Sequence, residues 1–522
     1  MKFSIKDFVL YCKKNIIIVV FTSCLMLLVY GIKLANITID CDGIWYLNQE
    51  WKSNMLWWIA LGRWGIAFIK LLRGNNINYY LDTFVACILL MICALMFCYL
   101  FDIISEVKGR WPLALFAVFF VVSPIWIEMN HSNFMSVEVM ISVALSPVIL
   151  LLFLYGVSQR IKKYMIFAII LAVFATSVYQ ANWCLLLGAI SAVLILIEER
   201  ISNNEEQKAK YKSMWCLSYG LLAITGIGYF ISNKIIQLIF HSSSGYVSNM
   251  VNIGKKEYWF FLCKFFYKIF LADFTPLNEA LKTILAHFVE GDVLANISWN
   301  TSSSALLHLP LVCCFAVIIV MKKNKSIFLG LSVGTMILSV LMLGLLGGNV
   351  PGRSLYALPF VGGFLIYYIL MHIKKRGLLI TAYAVIALGT LHQARKSAML
   401  LYSDYRRYEW DVSTLEHIVY RLEPLMTLDD ENREEKQLLV VGGLKCPLKE
   451  HFLRGECIGD SLLETHTFEF LHYMGYKYLT LENNKGLDYT KCVKHMPNYP
   501  DRGCIKEIDG VVILKLSDEN QY

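Results

Sequence analysis

The sequence predicts an all-α polytopic membrane protein of about eleven transmembrane helices that carries a small C-terminal α/β extracytoplasmic domain. Three observations predict it. Hydrophobic residues make up 57% of the 522-residue chain and charged residues only 17%, against about a quarter charged in ordinary soluble domains. Apolar runs of the length needed to cross roughly 30 Å of hydrocarbon recur along the first three quarters of the chain. The short connections between those runs alternate between basic and nearly charge-free.

The runs fall at 16–36, 81–104, 112–128, 134–157, 163–180, 182–198, 215–239, 304–321, 326–346, 354–373 and 377–394. The stretch from Tyr164 to Ile197 exceeds one span, and it divides at Tyr179-Gln180-Ala181-Asn182, whose polar side chains would be costly at a bilayer centre. Lys2, Lys6, Lys13 and Lys14 precede the first run, which predicts a cytoplasmic N-terminus. The first run is too long for the apolar core of a cleaved signal peptide and has no A-x-A site after it, so it reads as a signal anchor. Every second connection is then basic: Lys108/Arg110, Arg160/Lys162/Lys163, Arg200/Lys208/Lys210/Lys212, Lys322/Lys323/Lys325 and Lys374/Lys375/Arg376. The short connections between them hold only Arg353. That alternation places residues 396–522 outside the cytoplasm, in a bacterial inner (plasma) membrane setting once the resemblance below is considered.

The net charge of +8 is unevenly placed. Residues 396–522 carry 16 Lys/Arg and 22 Asp/Glu, and the preceding part carries 32 and 18. The basic excess thus belongs to membrane loops, which argues against nucleic acid as a partner. Domains are expected at 1–395 (membrane part) and 396–522 (tail). In the tail, 396–425 has a helical pattern, and Leu438–Val441, Tyr476–Leu481 and Val511–Leu516 read as strands. Most of the 15 cysteines lie in apolar runs, and no CxxC or His/Cys spacing points to a metal. Cys446, Cys457, Cys492 and Cys504 lie in the exported tail, where disulfides and free thiols are both compatible with the compartment.

The chemistry-bearing residues gather on the outer side. Ile39-Asp40-Cys41-Asp42-Gly43 follows the first run, and a carboxylate at the water–lipid boundary suits a general base because partial desolvation raises its pKa. Solvation of a helix end is the other role open to Asp40 and Asp42. Arg63, in Gly62-Arg63-Trp64-Gly65, lies in a Trp-rich outer stretch with Trp45, Trp51, Trp57 and Trp58, whose pattern suits the interface plane. Arg63 and Arg353 offer a bidentate fork for a lipid phosphate, with structural ion pairing as the alternative. Glu128, Asn130, His131 and Glu138 mark the outer ends of two further spans, and Tyr179 and Gln180 mark an outer turn. The long outer loop at 240–303 adds Lys255, Lys256, Tyr258–Phe261 and Asp273.

These pieces resemble the bacterial GtrII-type glucosyltransferase family. The resemblance rests on Asp40-Cys41-Asp42 after the first span, Gly62-Arg63-Trp64-Gly65, Tyr179-Gln180, and Pro351-Gly352-Arg353-Ser354 leading into Ala357-Leu358-Pro359-Phe360, over roughly residues 10–395. It implies a GT-C-like architecture and a catalytic acid at the start of the first outer loop, at Asp40 or Asp42. It implies substrate binding by Arg63, Trp64, Tyr179, Gln180 and Arg353. It further implies a polyprenyl-phosphate-sugar donor, a lipid-linked glycan acceptor such as an O-antigen, and no metal or other cofactor, with membrane lipids as surroundings. A flippase for the same lipid-linked sugar, or an O-antigen polymerase or ligase, shares many of these features. The near absence of charge at the span centres favours interfacial chemistry over a translocation path.

Overall fold

The computed structural model describes residues 4–74, 76–105, 109–201, 205–243, 303–321, 326–347, 352–426, 437–447, 453–455, 458–476, 480–481, 490–508 and 510–518. Each of the eleven expected spans falls on helix: Ile16–Ala35, Tyr79–Ile104, Arg110–Val121 with Pro124–His131, Ser136–Gln159, Lys162–Val178, Asn182–Glu199, Glu205–Ile239, Ser303–Met321, Ile327–Gly347, Ala357–His372 and Arg376–Met426. Among the described residues, seven helices are long and apolar enough to cross a membrane, and three further apolar helices are shorter. Exposed Leu27, Leu28, Ile227, Phe230 and Leu388 are surface that hydrocarbon tolerates and water does not.

Local chemistry sets the breaks. The chain leaves helix at Tyr179–Ala181, between Val178 and Asn182, where the polar turn predicts it. The third span is interrupted at Val122–Ser123 and restarts with Pro124 at the first helical position, where a missing N–H costs nothing. The last helix departs from expectation. Arg376–Met426 is one helix of 51 residues, about 75 Å at 1.5 Å per residue, so position 395 lies inside it. Its first half is the eleventh expected span and its second half is the amphipathic segment of the tail.

The connection after the first span, the first outer loop of the expected topology, contains three short helices, Cys41–Asn48, Trp51–Ala60 and Trp64–Arg73. One of its tryptophans, Trp58, is more deeply set than an interface-lying helix requires, while Trp51 is exposed. Trp58 is fully buried and stacks on Phe134 at 5.7 Å, with Trp57 and Tyr46 against the same ring. The tail contains a four-stranded sheet in the order β2-β1-β4-β3, with β1 Gln437–Val441, β2 Thr480–Leu481, β3 Ile505–Ile508 and β4 Val511–Lys515. β1 runs parallel to β2 and β4, and β3 pairs antiparallel with β4. β1, β2 and β4 match the three expected strands. β3 is additional: only its two ends are partly buried, a burial pattern too sparse to announce it.

Among the described residues, two larger hydrophobic cores form, beside a small one of Met496, Val511 and Ile513. One fills the helical bundle. The other joins Ile39 and Ile44 of the first outer loop to Leu415, Ile418, Leu438, Phe470 and Leu514 of the tail. The segment bearing Asp40 is therefore built into the core of the tail. Polar contacts repeat the pairing: Asn48 donates to the Glu469 carbonyl at 2.9 Å and Thr465 to Cys41 Sγ at 3.9 Å.

Candidate functional site

Asp40 caps the Cys41–Asn48 helix, its Oδ1 accepting the Gly43 N–H at 3.1 Å. A Cβ at position 43 would collide with that oxygen, so glycine is what lets the carboxylate fold back on its own helix. The residue is 3% exposed, and Oδ2 has no hydrogen-bond partner among the described residues. Burial pushes its pKa above the usual carboxylate value. Asp42 pushes in the same direction, while His131, Ser132 and Arg353 oppose it. An unpaired buried oxygen costs on the order of 1–3 kcal/mol, which the fold sustains at this position.

Asp42 differs from its neighbour. Its side chain is 54% exposed and faces Arg353 Nη2 at 3.4 Å. Arg353 lies in the turn before Ala357–His372 and also reaches Ser132 Oγ at 3.4 Å. The first outer loop, the end of the third span and the start of the tenth thus converge on one spot. Tyr179 adds a second layer: its hydroxyl is 3.0 Å from Ser354 Oγ, and its ring stacks on Tyr356 at 5.3 Å. Arg63 lies over the other part of this layer, with its guanidinium carbon 4.4 Å from the Tyr179 ring centroid. Gln180 donates to the Leu61 carbonyl and to the Tyr229 hydroxyl, each at 3.0 Å, fixing the loop that presents Arg63. Asp40, Asp42, Arg63, Tyr179, Gln180 and Arg353 therefore form two adjoining groups. Trp64 stands apart from them, edge-on to Phe174 at 6.1 Å.

The acidic residues expected at the outer span ends separate. Glu138 turns to Lys70 at 3.4 Å and Arg73 at 3.0 Å, with Arg73 also on Asp82 at 2.9 Å, a network that ties the Trp64–Arg73 helix to two spans. Glu128 packs beneath the tail, where a Cβ on Gly455 would strike Glu128 Oε1. His131 joins the site. It is fully buried, with Nδ1 3.0 Å from Asp404 Oδ2. Lys255, Lys256, Tyr258–Phe261, Asp273 and Cys457 lie outside the described residues. Cys446 is buried, and Cys492 and Cys504 are free thiols.

Four residues missed at the sequence level belong to this neighbourhood. Lys33 is buried with Nζ on the Thr38 carbonyl at 3.1 Å, and Asp404 and Asp40 are the carboxylates acting on it. Asp404 and Arg407 pair at 2.5 Å with both side chains fully buried. Asp460, whose pKa burial raises, feels Arg407, Arg454 and His131. Asp404, Arg407 and Asp411 recur at helical spacing (i, i+3, i+7), the one signal available in the sequence. A solvated helix face carries the same spacing.

Apolar helices of membrane-crossing length fit a membrane protein, and carboxylates and arginines converge at one spot on it. The chain belongs to the glucosyl transferase GtrII family, whose model matches residues 31–370, more than half of it. Membership makes it a glycosyltransferase acting on a sugar donor and an acceptor. No curated protein matches the chain. The family match includes the expected site residues and His131, and it ends before Asp404.

Proposed function

We propose that the protein transfers a sugar, glucose by its family, from a polyprenyl-phosphate donor to a lipid-linked O-antigen or related surface polysaccharide at the outer face of the bacterial inner membrane. The observation that carries this reading is the pairing of unlike carboxylates: Asp40 buried with a raised pKa and an open oxygen, Asp42 exposed and facing Arg353. Asp40 is then the general base and Asp42 the residue that sets Arg353. The acceptor hydroxyl gives its proton to Asp40 as its oxygen bonds to the sugar's anomeric carbon. The bond from that carbon to the phosphate oxygen breaks, and the electron pair leaves with the polyprenyl phosphate. Arg353, with Arg63 beside Tyr179, stabilises the charge that grows on the departing phosphate. Attack opposite the phosphate inverts the anomeric centre.

The side of the membrane is supported by which ends meet. Arg200 donates to the Ile104 carbonyl at 3.0 Å, and Glu199 pairs with His372 at 3.0 Å. These are the ends beside the basic connections. A periplasm-active reporter fused after Tyr522 should be active, and fusions at Asn204 and Lys323 inactive. A cytoplasmic readout at Tyr522 would overturn the assignment.

The transfer itself is tested in membranes with radiolabelled polyprenyl-phosphate-glucose and a lipid-linked O-antigen acceptor. Label in the glycan is the expected result. Wild-type protein that forms no glycosidic bond across a panel of polyprenyl-phosphate sugars would overturn the reading, and movement of labelled lipid without bond formation would identify a flippase.

A further inference from the structure

The last helix reaches back into the site from beyond the family-matching region. Asp404 stands between two fully buried basic side chains, Arg407 at 2.5 Å and His131 at 3.0 Å. The carboxylate faces Nδ1 of the imidazole at ion-pair distance without hydrogen-bond geometry, and a neutral ring carrying its proton on that side presents Nε2 as an acceptor. Nε2 is buried and has no hydrogen-bond partner among the described residues, and the same holds for Asp40 Oδ2. His131 is also the strongest charged influence on Asp40, ahead of Asp42 and Arg353. Native interiors rarely leave buried polar atoms unpaired, and this neighbourhood concentrates several, with His131 Nδ1, Asp404 Oδ2 and Arg407 Nε besides these two, an arrangement that suits a transient partner.

We propose that His131, positioned by Asp404, is the second proton-handling residue of the transfer. Resting on the glucosyl-transfer reading above, it receives at Nε2 the proton that Asp40 takes from the acceptor hydroxyl. The O–H bond of the acceptor breaks, the proton passes by way of Asp40 to the imidazole, and the imidazolium stands against the Asp404 carboxylate until water removes the proton. Asp40 is thereby returned to its ionised form for the next turnover. Arg407 and Lys33 hold Asp404 ionised as its other charged neighbours. Asp411 stands near Asp404, and Asp460 faces the ring from the tail. The tail is in this way part of the reaction site, since its helix supplies the residue that orients the ring.

The test measures transfer by His131→Gln, Asp404→Asn, Asp404→Glu and the double variant His131→Gln/Asp404→Asn. Exposed Arg406→Ala, on the same helix, is the control. Asp404→Asn presents an amide that favours the opposite tautomer, so it should lose turnover as His131→Gln does, each by tenfold or more with donor KM unchanged. The double variant should be no worse than the poorer single one, and Asp404→Glu should recover part of the loss. Added imidazole should restore turnover to His131→Gly, a response that loss of packing alone would not give. Wild type active with His131→Gln and Asp404→Asn within threefold of it would overturn the relay alone. Inactive wild type would overturn the glucosyl-transfer reading. Failure to recover any His131 or Asp404 variant as folded protein, judged by membrane abundance and melting in detergent, would assign the pair to folding and overturn the relay.

Discussion

At one end of the bundle, Glu198 accepts from Tyr211 at 3.0 Å and from Ser326, and Glu199 accepts from Tyr368 at 2.5 Å and pairs with His372 at 3.0 Å. His372 Nδ1 lies 2.8 Å from the Tyr368 carbonyl, so both ring nitrogens are engaged. At the other end, Asp40 Oδ2 and His131 Nε2 are buried without hydrogen-bond partners among the described residues. Both ends join several helices through acid, histidine and hydroxyl groups. The difference lies in completion. The paired end spends its polar groups on holding helices together, whereas the other end leaves polar atoms open among the described residues, as the proposed substrate contact requires. Composition does not distinguish these roles, since a carboxylate and an imidazole are present at each end.

The sharpest way to break the comparison is Asp40→Asn. Asparagine caps a helix as well as aspartate, so the bond from the Gly43 N–H should persist and membrane abundance should stay unchanged. As general base, the group should take about a hundredfold or more of turnover with it. Full activity in both Asp40→Asn and Asp42→Asn would mean that the open end is not where the hydroxyl is deprotonated.

Arg353→Lys should have the next largest effect. An ammonium keeps the charge but cannot present the guanidinium fork. A lost charged hydrogen bond of about 1.5–3 kcal/mol corresponds to a tenfold fall or more in transfer. The fall should be seen in initial rates with polyprenyl-phosphate-glucose. Unchanged rates would reduce Arg353 to a partner of Asp42.

Much of this molecule was legible in its sequence. The helices follow from apolar runs long enough to span hydrocarbon, and the turn at Tyr179–Ala181 from polar groups placed where hydrocarbon would penalise them. Asp40, Asp42 and Arg353 were legible because acidic residues just after a span, and a basic residue in an otherwise uncharged outer loop, break the surrounding pattern. Asp404 was not. Its helix presents Asp404, Arg407 and Asp411 at spacings that a water-facing helix also shows, and only the fold reveals that all three are buried. The common core of Ile39 and Ile44 with Leu514 was equally hidden, because contacts separated by more than 450 residues leave no local period. Glu138 was misplaced for a related reason: sequence puts it near Glu128 and His131, and the start of a new helix turns it toward Lys70 and Arg73.

The paired end supplies the contrasting experiment. Glu199→Gln removes the ion pair with His372 but retains an acceptor for Tyr368. Both partners of that pair are partly exposed, so the loss should be about 1 kcal/mol or less. It should appear as a lower melting temperature in detergent, with transfer within about twofold of wild type. A hundredfold fall in transfer would show that this end is also a site of chemistry and would erase the distinction.

The smallest expected effect is a shift along the pH axis. Asp40 must be ionised to act as a base, and burial raises its pKa, so the acid limb of kcat/KM should lie above the ordinary carboxylate range. The charge of Asp42 contributes to the same rise. Asp42→Asn removes that like charge, which eases ionisation of Asp40 and should move the acid limb to lower pH. In the same direction, the change releases Arg353 from its 3.4 Å contact with Asp42. The freed guanidinium also favours ionised Asp40, so the two consequences share a sign. If the limb moves to higher pH, or stays where it is, the titrating group in the wild-type profile is not Asp40. Asp460, whose carboxyl is also raised and which feels Arg407 and His131, would then be the next group to replace with asparagine.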